Sequence, residues 1–328
     1  MAETPLTIPQ IYAKGKENLK ARGIEWAYPP GRKMGPSVRA NRKYLDSLYL
    51  ETRFFDPVQP DTSFTLFGRK LKTPVFCSAI SKQQYSGENG LAEIGKGLAA
   101  AGSMLMLGIG GGADLQSAID SGVPVVKIIK PYRKTDLMYE KVRDAESRGC
   151  VALGMDIDHF YGVLMEDRAL RTDTFAPQTT AEIKQVMAAS KLPFIIKGVL
   201  SLTDAEKAVQ LGASAIVVSN HGSGSLEFGL PSLIALPEIV QAVGNRVTVL
   251  VDTGFETGND VFKGLALGAK AVGLATPIIL AHCADGAQGV ETLVNLVTAE
   301  LQRTMAATGC ATLAAINESI IREISFPD

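Results

Sequence analysis

The sequence predicts an α/β protein built as one (β/α)8 TIM barrel with an N-terminal helical cover. Short apolar runs rich in β-branched residues recur eight times between residues 74 and 274. A stretch of helical period or helix length follows each run, as the crossovers of a parallel sheet require. A doubly wound open sheet is the competing fold. The first predicted strand lacks a following GxGxxG motif, which disfavours that alternative.

Residues 1–72 are expected to cover the barrel, which is assigned to residues 73–328 within one domain overall. Helices are predicted over 8–22 and 37–50, separated by the breaker Tyr28-Pro29-Pro30-Gly31. A small hairpin is predicted over 64–71 around Gly68.

The barrel strands are predicted from their apolar runs, and the helices from the periodic stretches between them. The strands span residues 74–78, 103–107, 124–129, 151–155, 193–196, 215–218, 247–251 and 271–274. The helices span residues 91–101, 137–148, 180–190, 203–211, 233–243 and 259–267, with a C-terminal helix over 290–307.

One connection, residues 157–179, is much longer than a usual βα loop. It follows the C-terminal end of a predicted strand, which is the active face of a barrel. A mobile lid or substrate loop is one interpretation, and a disordered surface insertion is the other.

Composition excludes several function classes. The net charge of −1 offers no electrostatic attraction for nucleic acid or an anionic membrane. The N-terminus lacks the apolar core of a signal peptide, and no apolar run approaches the roughly 20 residues that span a bilayer. Four scattered cysteines and three histidines without ligand spacing predict neither a disulfide framework nor a metal site. A cytoplasmic protein that acts on a small molecule is expected.

The residues that end the strands are expected to share one rim of the barrel. His221 follows a buried strand and can serve as a base near neutral pH, although a histidine tied into a structural turn fits the same position. Lys197 is either a cation aimed into the pocket or a snorkelling rim residue. Because Lys130, Asp156 and Asp252 are expected at the same rim, the pocket interpretation is favoured.

Glycine-rich turns follow the seventh and eighth strands, at Asp252-Thr253-Gly254 and at 273–277. This is the usual phosphate site of a barrel, built from backbone N–H groups and a helix N-terminus. A phosphate-bearing cofactor or substrate is therefore predicted. Tight turns that need small residues are the alternative explanation.

Residues 193–273 resemble the FMN-dependent α-hydroxy-acid oxidase and dehydrogenase family, which includes glycolate oxidase and lactate oxidase. The likeness is carried by IIKGVLSLTDAEKAVQLGASAIVVSNHG and by VTVLVDTGFETGNDVFKGLALGAKAV, and extends more weakly over the whole chain. The resemblance implies a (β/α)8 barrel with an N-terminal cover, bound FMN, oxidation of a CH–OH group and often a homotetramer.

The resemblance also implies roles for individual residues. His221 matches the active-site base, Asp156 the aspartate that orients it, and Tyr132 the tyrosine whose hydroxyl points at the substrate. Lys197 matches the lysine that faces one edge of the flavin, where a cation stabilises developing negative charge. The residues implied in binding FMN are Ala79, Ile80, Ser81, Gly108, Lys130, Lys197, Ser219, Asp252, Thr253, Gly254, Ala275 and Thr276.

Several positions depart from the family pattern. The arginine that normally clamps the substrate carboxylate is Gly224, and a tyrosine that assists it aligns with Ala27. A further family arginine aligns near Val163. Lactate and glycolate are therefore expected to be poor substrates, and a larger or less acidic molecule to be preferred.

The FMN site departs as well. Glu256 and Thr276 replace two arginines of the phosphate site, and Lys130 replaces a glutamine near the flavin ring. Weakened FMN binding is predicted. Two other functions stay open at this point: a barrel that has lost FMN and works as an isomerase or lyase, and a non-catalytic homologue that binds a metabolite.

Overall fold

The cover forms from two amphipathic helices and two short strand pairs. The computed structural model describes residues 6–24, 36–81, 87, 89–160, 174–223, 226 and 228–324. Within the cover lie α1 (Ile8–Ala21), α2 (Pro36–Ser47), β1 (Leu48–Leu50), β2 (Phe64–Leu66) and β3 (Arg69–Leu71). A Cβ added to Gly15 of α1 would lie 2.2 Å from the Leu280 carbonyl oxygen, so the contact there requires a glycine.

Eight parallel strands close into a barrel, which confirms the predicted fold class. They are β4 (Val75–Ile80), β5 (Leu105–Leu107), β6 (Val125–Ile129), β7 (Ala152–Asp156), β8 (Phe194–Val199), β9 (Ala215–Val218), β10 (Thr248–Asp252) and β11 (Ala271–Leu274). β11 pairs with β4 through Val272 and Val75, which closes the ring. No open edge is left among these strands.

The helices alternate with the strands around the outside of the barrel. They are α3 (Gly90–Ala100), α4 (Gly112–Asp120), α5 (Thr135–Ser147), α6 (Thr180–Ala188), α7 (Leu202–Gln210), α8 (Ser232–Val243), α9 (Gly258–Ala266) and α10 (Thr276–Ala307). Side-chain caps set several starts: Ser201 accepts the Asp204 N–H of α7, and Thr257 accepts the Asp260 N–H of α9.

Alternation along the strands produces two cores. Inward-facing side chains fill the barrel, among them Phe76, Met106, Ile128 and Leu250. Outward-facing ones form the layer between sheet and helices. The barrel is thus a packed core, and only the strand ends are left to build a site.

Three details of the cover and the C-terminal region differ from the sequence prediction. The second helix ends at Ser47, and Leu48–Leu50 forms β1 instead of a last helical turn. β1 pairs antiparallel with β12 (Ile321–Glu323), a strand that the sequence did not predict. The C-terminal helix begins at Thr276 and is kinked at Asp285 and Gly286, where the backbone angles are not helical. The predicted helix over 290–307 is its second half.

Candidate active site

The strand ends bring the predicted polar residues together at the C-terminal mouth of the barrel. Ile129 pairs with Met155 across β6 and β7, which places Lys130 beside Asp156 one residue further on. Asp156 in turn pairs in register with Lys197 of β8. Lys130, directly after β6, therefore lies beside Asp156 of β7 and Lys197 of β8.

A buried ion network results. Lys130 Nζ donates directly to Asp156 Oδ2. Lys197 Nζ lies 3.6 Å from Asp156 Oδ1, 3.2 Å from Asp252 Oδ2 and 3.0 Å from the Ser219 hydroxyl. The whole residue is 4% exposed for Lys130, 2% for Lys197 and 0% for Asp156, so water screens these charges poorly.

The network keeps Asp156 and Lys197 in their charged forms. Burial alone would raise the pKa of Asp156, but Lys130 and Lys197 outweigh it and hold that pKa well below its usual range. Burial alone would lower the pKa of Lys197, but Asp252 and Asp156 raise it above its ordinary value. Lys197 is therefore a permanent cation near neutral pH.

His221 lies in a short 3₁₀ turn, His221–Ser223, directly after β9. Its own φ is +50°, in the left-handed region, and its N–H donates to the Ser219 hydroxyl at 3.2 Å. Its Nδ1 is 3.3 Å from Asp158 Oδ1 and 4.0 Å from Asp156 Oδ1. The nearer carboxylate is thus Asp158, two residues beyond the aspartate that the sequence comparison suggested.

An aromatic wall continues from His221 along the mouth. The His159 ring centroid is 5.4 Å from that of His221 and 5.0 Å from that of Phe175. The Tyr132 and Phe175 rings are tilted to each other with centroids 5.5 Å apart, and the Lys141 ammonium lies 5.6 Å from the Tyr132 ring centroid. Burial raises the pKa of Tyr132, so its hydroxyl stays protonated.

The first two barrel loops are joined to each other. The Gly108 N–H donates to the Ile80 carbonyl at 2.7 Å, and the Ser81 hydroxyl accepts the Ile109 N–H at 2.8 Å. The buried Lys127 ammonium donates to the Gly108 carbonyl. Ala79 precedes Ile80 within β4, so the predicted residues Ala79, Ile80, Ser81 and Gly108 form one patch of the rim.

The cover helix α2 holds the turn that follows β10. Thr253 and Gly254 both have left-handed backbones, with φ of +81° and +85°. Asn41 donates to the Thr253 carbonyl at 3.1 Å, and the Arg42 guanidinium pairs with both oxygens of Asp260 at 2.9 Å. The Ser78 hydroxyl of β4, one strand beyond β11, donates to Asp252. The cover therefore helps to shape the predicted cofactor loop.

The start of α10 completes the rim. Ala275 immediately precedes the helix and Thr276 is its first residue. The Thr276 hydroxyl oxygen is buried and has no hydrogen-bond partner among the described residues. A buried hydroxyl at the positive end of a helix is arranged to bind an anion.

Sequence reasoning did not identify several residues of this site. Asp158 and His159 belong to the long connection, whereas the sequence indicated only Asp156, the residue that ends the strand. Asn41 and Arg42 reach the site from more than 200 positions away in the chain. The described residues leave out most of the predicted lid, residues 161–173. They also leave out the positions that depart from the family pattern at Ala27, Val163 and Gly224.

Asp156, Asp158 and His221 each place one potential metal-ligand atom within 4.8 Å of the others. The ammonium groups of Lys130 and Lys197 already neutralise Asp156 and would repel a divalent cation at that position. The local charge therefore favours a hydrogen-bonded acid–base group over a metal centre.

His159 is expected to make the stability of the protein depend on pH. Burial first, then the charges of Lys130 and His221, lower the pKa of His159 to about 3. Since the unfolded chain takes up this proton near pH 6.5, its stabilising contribution is complete above that pH and is lost as pH falls toward 3. We expect about 2 kcal/mol less unfolding free energy at pH 5 than at pH 7.5 from this group alone.

Urea unfolding at the two pH values, with and without His159→Gln, isolates that contribution. The difference between pH 7.5 and pH 5 should be smaller in the variant. An equal pH dependence in both proteins would show that His159 is not held in its neutral form by the fold.

Comparisons with known proteins agree with this geometry. A profile of the family described as FMN-dependent dehydrogenase matches residues 20–177 and 164–323. Glycolate oxidase 1 of Oryza sativa subsp. indica is 26% identical over 97% of this chain and 91% of that relative. Human 2-hydroxyacid oxidase 2 is 41% identical, over 43% of this chain and 40% of its own.

The overall fold is likewise similar to solved structures. A crystal structure of mandelate oxidase with 3,3-difluoro-2-hydroxy-3-phenylpropionic acid has a TM-score of 0.85 at 28% identity, covering 94% of this chain and 96% of that one. A second, with (S)-4-hydroxymandelic acid, has a TM-score of 0.83 at 26% identity, covering 96% and 98%. None of the helices in the described part of the chain has the length and apolar character that crossing a membrane requires.

Proposed function

The chain belongs to the FMN-dependent dehydrogenase family, and from that premise we propose that it is an FMN-dependent oxidoreductase of the α-hydroxy-acid oxidase type. It acts on the CH–OH group of a small molecule that differs from the simplest 2-hydroxy acids. The observation that carries the proposal is the barrel mouth itself, where the buried Lys197 cation lies beside the His221 imidazole and its carboxylates.

The residues at the mouth suit both the flavin ring and the phosphate group of FMN. Lys197 offers a dry, permanent cation to the edge of the ring. At the other end, the unpartnered Thr276 hydroxyl at the start of α10 suits a phosphate oxygen. The residues proposed to hold the cofactor are Ala79, Ile80, Ser81, Gly108, Lys130, Lys197, Ser219, Asp252, Thr253, Gly254, Ala275 and Thr276. When bound, FMN supplies an acceptor for the two electrons that leave the substrate carbon.

The side chains of the mouth divide the remaining work. His221 turns Nδ1 toward a carboxylate, which leaves Nε2 to accept the proton of the substrate hydroxyl. The Lys197 cation would stabilise the negative charge that the bound flavin gains when it accepts the electrons. The protonated Tyr132 hydroxyl is available to donate a hydrogen bond to the substrate oxygen.

The alternative functions are less favoured. A lyase that forms a Schiff base needs a neutral lysine, and the carboxylates around Lys197 keep it charged. A non-catalytic binding protein has no use for a buried base and cation set in register on neighbouring strands.

We expect FMN binding to be weak, because Glu256 brings a carboxylate to the turn before α9. The Glu256 and Thr257 N–H groups also donate to Asp260, at 3.0 and 3.2 Å, so they are already engaged. Replacing Glu256→Arg and Thr276→Arg together should lower the Kd for FMN by about tenfold or more. A flavin fluorescence titration measures this.

The control for that titration is Glu140→Arg on α5, an exposed site where the charge change of Glu256→Arg is repeated away from the mouth. It should leave the Kd unchanged. Stoichiometric FMN at nanomolar affinity in the unsubstituted protein would overturn the expectation of weak binding.

A substrate panel on FMN-loaded protein tests the proposed function. Because Gly224 replaces the carboxylate clamp, lactate and glycolate should turn over slowly, and a larger or less acidic hydroxy compound faster. Gly224→Arg should raise kcat/KM for lactate. Rapid oxidation of lactate by the unsubstituted protein contradicts the specificity, and no oxidation of any hydroxy compound contradicts the function.

Homo-oligomerisation, as a tetramer by family resemblance, and a cytoplasmic location remain predictions. Light scattering tests the first, and imaging of the tagged chain in its own cells tests the second.

A further inference from the structure

The carboxylate nearest to His221 is Asp158. His221 Nδ1 lies 3.3 Å from each of the two Asp158 oxygens, a distance compatible with a hydrogen bond. The closest Asp156 oxygen is 4.0 Å away, which is too far for one. The imidazole therefore faces the connection after β7 and not the strand end itself.

One oxygen of Asp156 is engaged elsewhere, and the other, Oδ1, is buried without a hydrogen-bond partner among the described residues. Lys130 Nζ donates to one of its oxygens, and Lys197 Nζ lies 3.6 Å from the other. The resemblance places a neutral glutamine at the position of Lys130, so the cation that binds Asp156 is a departure of this chain. The ammonium that Lys130 adds beside Asp156 balances the charge of that carboxylate at Oδ2, whereas the oxygen nearest to His221 is Oδ1.

We propose that Asp158, and not Asp156, is the positioning residue of His221: its carboxylate faces Nδ1 and fixes the orientation of the imidazole. This inference rests on the proposed role of His221 as the base. Asp156 becomes instead the counter-ion of Lys130, whose ammonium donates to it.

Charge pairing at the mouth supports this division. Lys130 is paired with Asp156, and Lys197 with Asp252 at 3.2 Å, which matches two cations with two carboxylates. Asp158 is the third carboxylate, and its side chain is only 10% exposed. Its carboxylate lies 3.3 Å from the His221 imidazole, the contact on which the proposed pairing depends. Burial alone would raise the pKa of Asp158, but the charge of His221 and its hydrogen bond lower it.

The backbone is built to admit Asp158. Gly198 of β8 has φ +93°, and a Cβ added there would lie 2.5 Å from the Asp158 carboxylate. A side chain at position 198 would therefore push Asp158 away from His221. The His159 ring, 5.4 Å from that of His221, packs beside the imidazole and stays neutral, because its pKa is lowered to about 3. Within the described part of the chain, the charged and titratable groups around His221 are Asp156, Asp158, His159, Lys130, Lys197 and, through Lys197, Asp252.

Histidine NMR on the protein without cofactor tests the proposal. The chain has three histidines, so labelled histidine gives three ring spin systems, which His159→Gln, His221→Gln and His282→Gln assign. Asp158→Asn should move the titration midpoint of the His221 signals about one pH unit or more toward acid, because it removes the opposing charge. Asp158→Ser makes the same charge change if the asparagine variant does not fold.

The matched control is the double variant Lys130→Gln with Asp156→Asn, which removes an ion pair and leaves the net charge unchanged. It should move the His221 midpoint by less than half as much as Asp158→Asn does. A midpoint unchanged by Asp158→Asn, or moved further by the double variant, overturns the proposal.

Activity separates this inference from the proposed function. In FMN-loaded enzyme, Asp158→Asn should move the acid limb of the kcat/KM profile toward lower pH, in parallel with the NMR midpoint. If His221→Gln keeps full activity, the proposed base is wrong, although the NMR result still reports on Asp158. If His221→Gln is inactive but the Asp158→Asn profile and midpoint do not move, only the role of Asp158 is wrong.

Discussion

Replacing His221 by glutamine is expected to lower kcat/KM by about 10²–10⁴-fold, which is the usual contribution of a positioned general base. Glutamine keeps the size and hydrogen bonding of the side chain but cannot take up the substrate proton. The neighbouring imidazole of His159, 5.4 Å away, has its pKa lowered to about 3, so it is too weak a base to replace His221. The measurement is steady-state turnover of the best substrate in the panel, with saturating FMN.

The matched control is His282→Gln. His282 pairs with Glu93 at 2.7 Å, where α10 packs on α3, away from the strand ends. This variant should keep kcat/KM within about threefold, since it changes no group at the mouth. Equal losses in the two variants would mean that histidine replacement acts through the fold, and an active His221→Gln enzyme would remove His221 from the chemistry.

The second large effect is on stability. Asp156→Asn should lower the free energy of unfolding by about 3–5 kcal/mol, because it leaves the buried Lys130 without its counter-ion. The double variant Lys130→Gln with Asp156→Asn should recover at least half of that loss, since it buries neither charge. Urea unfolding of the three proteins at neutral pH gives the comparison.

Two outcomes contradict this account of the network. If Asp156→Asn is as stable as the unsubstituted chain, Lys130 finds water or another partner. If the double variant is less stable than the single one, the two side chains do not form a coupled pair.

The barrel could be predicted from the sequence because each of its strands is marked by a short run of neighbouring residues. Runs such as Ala215–Val218 are short, apolar and β-branched, and the structure has a strand of the same bounds there. The direction of a parallel strand then places Lys197 and His221 at the same end. By contrast, β12 is a three-residue exposed strand that forms only through pairing with β1, so it has no local signature.

The contacts within the site depend on strand register and loop geometry, which cannot be inferred from local sequence patterns. Lys130 meets Asp156 because of the register between β6 and β7, and a shift of one residue would separate them. Asp158 reaches His221 through an irregular loop, past a left-handed Gly198. Resemblance to a family indicated the partner usual for that histidine, whereas this chain carries an additional lysine that changes the pairing.

Anaerobic mixing of FMN-loaded protein with the hydroxy-compound panel tests the central claim most directly. Loss of the visible flavin absorbance reports electrons leaving the substrate, independently of any electron acceptor. The account predicts that at least one compound bleaches the flavin of the unsubstituted protein, and that His221→Gln slows this step by about 10²-fold or more. Flavin that no compound bleaches, or that bleaches equally fast in the variant, would contradict it.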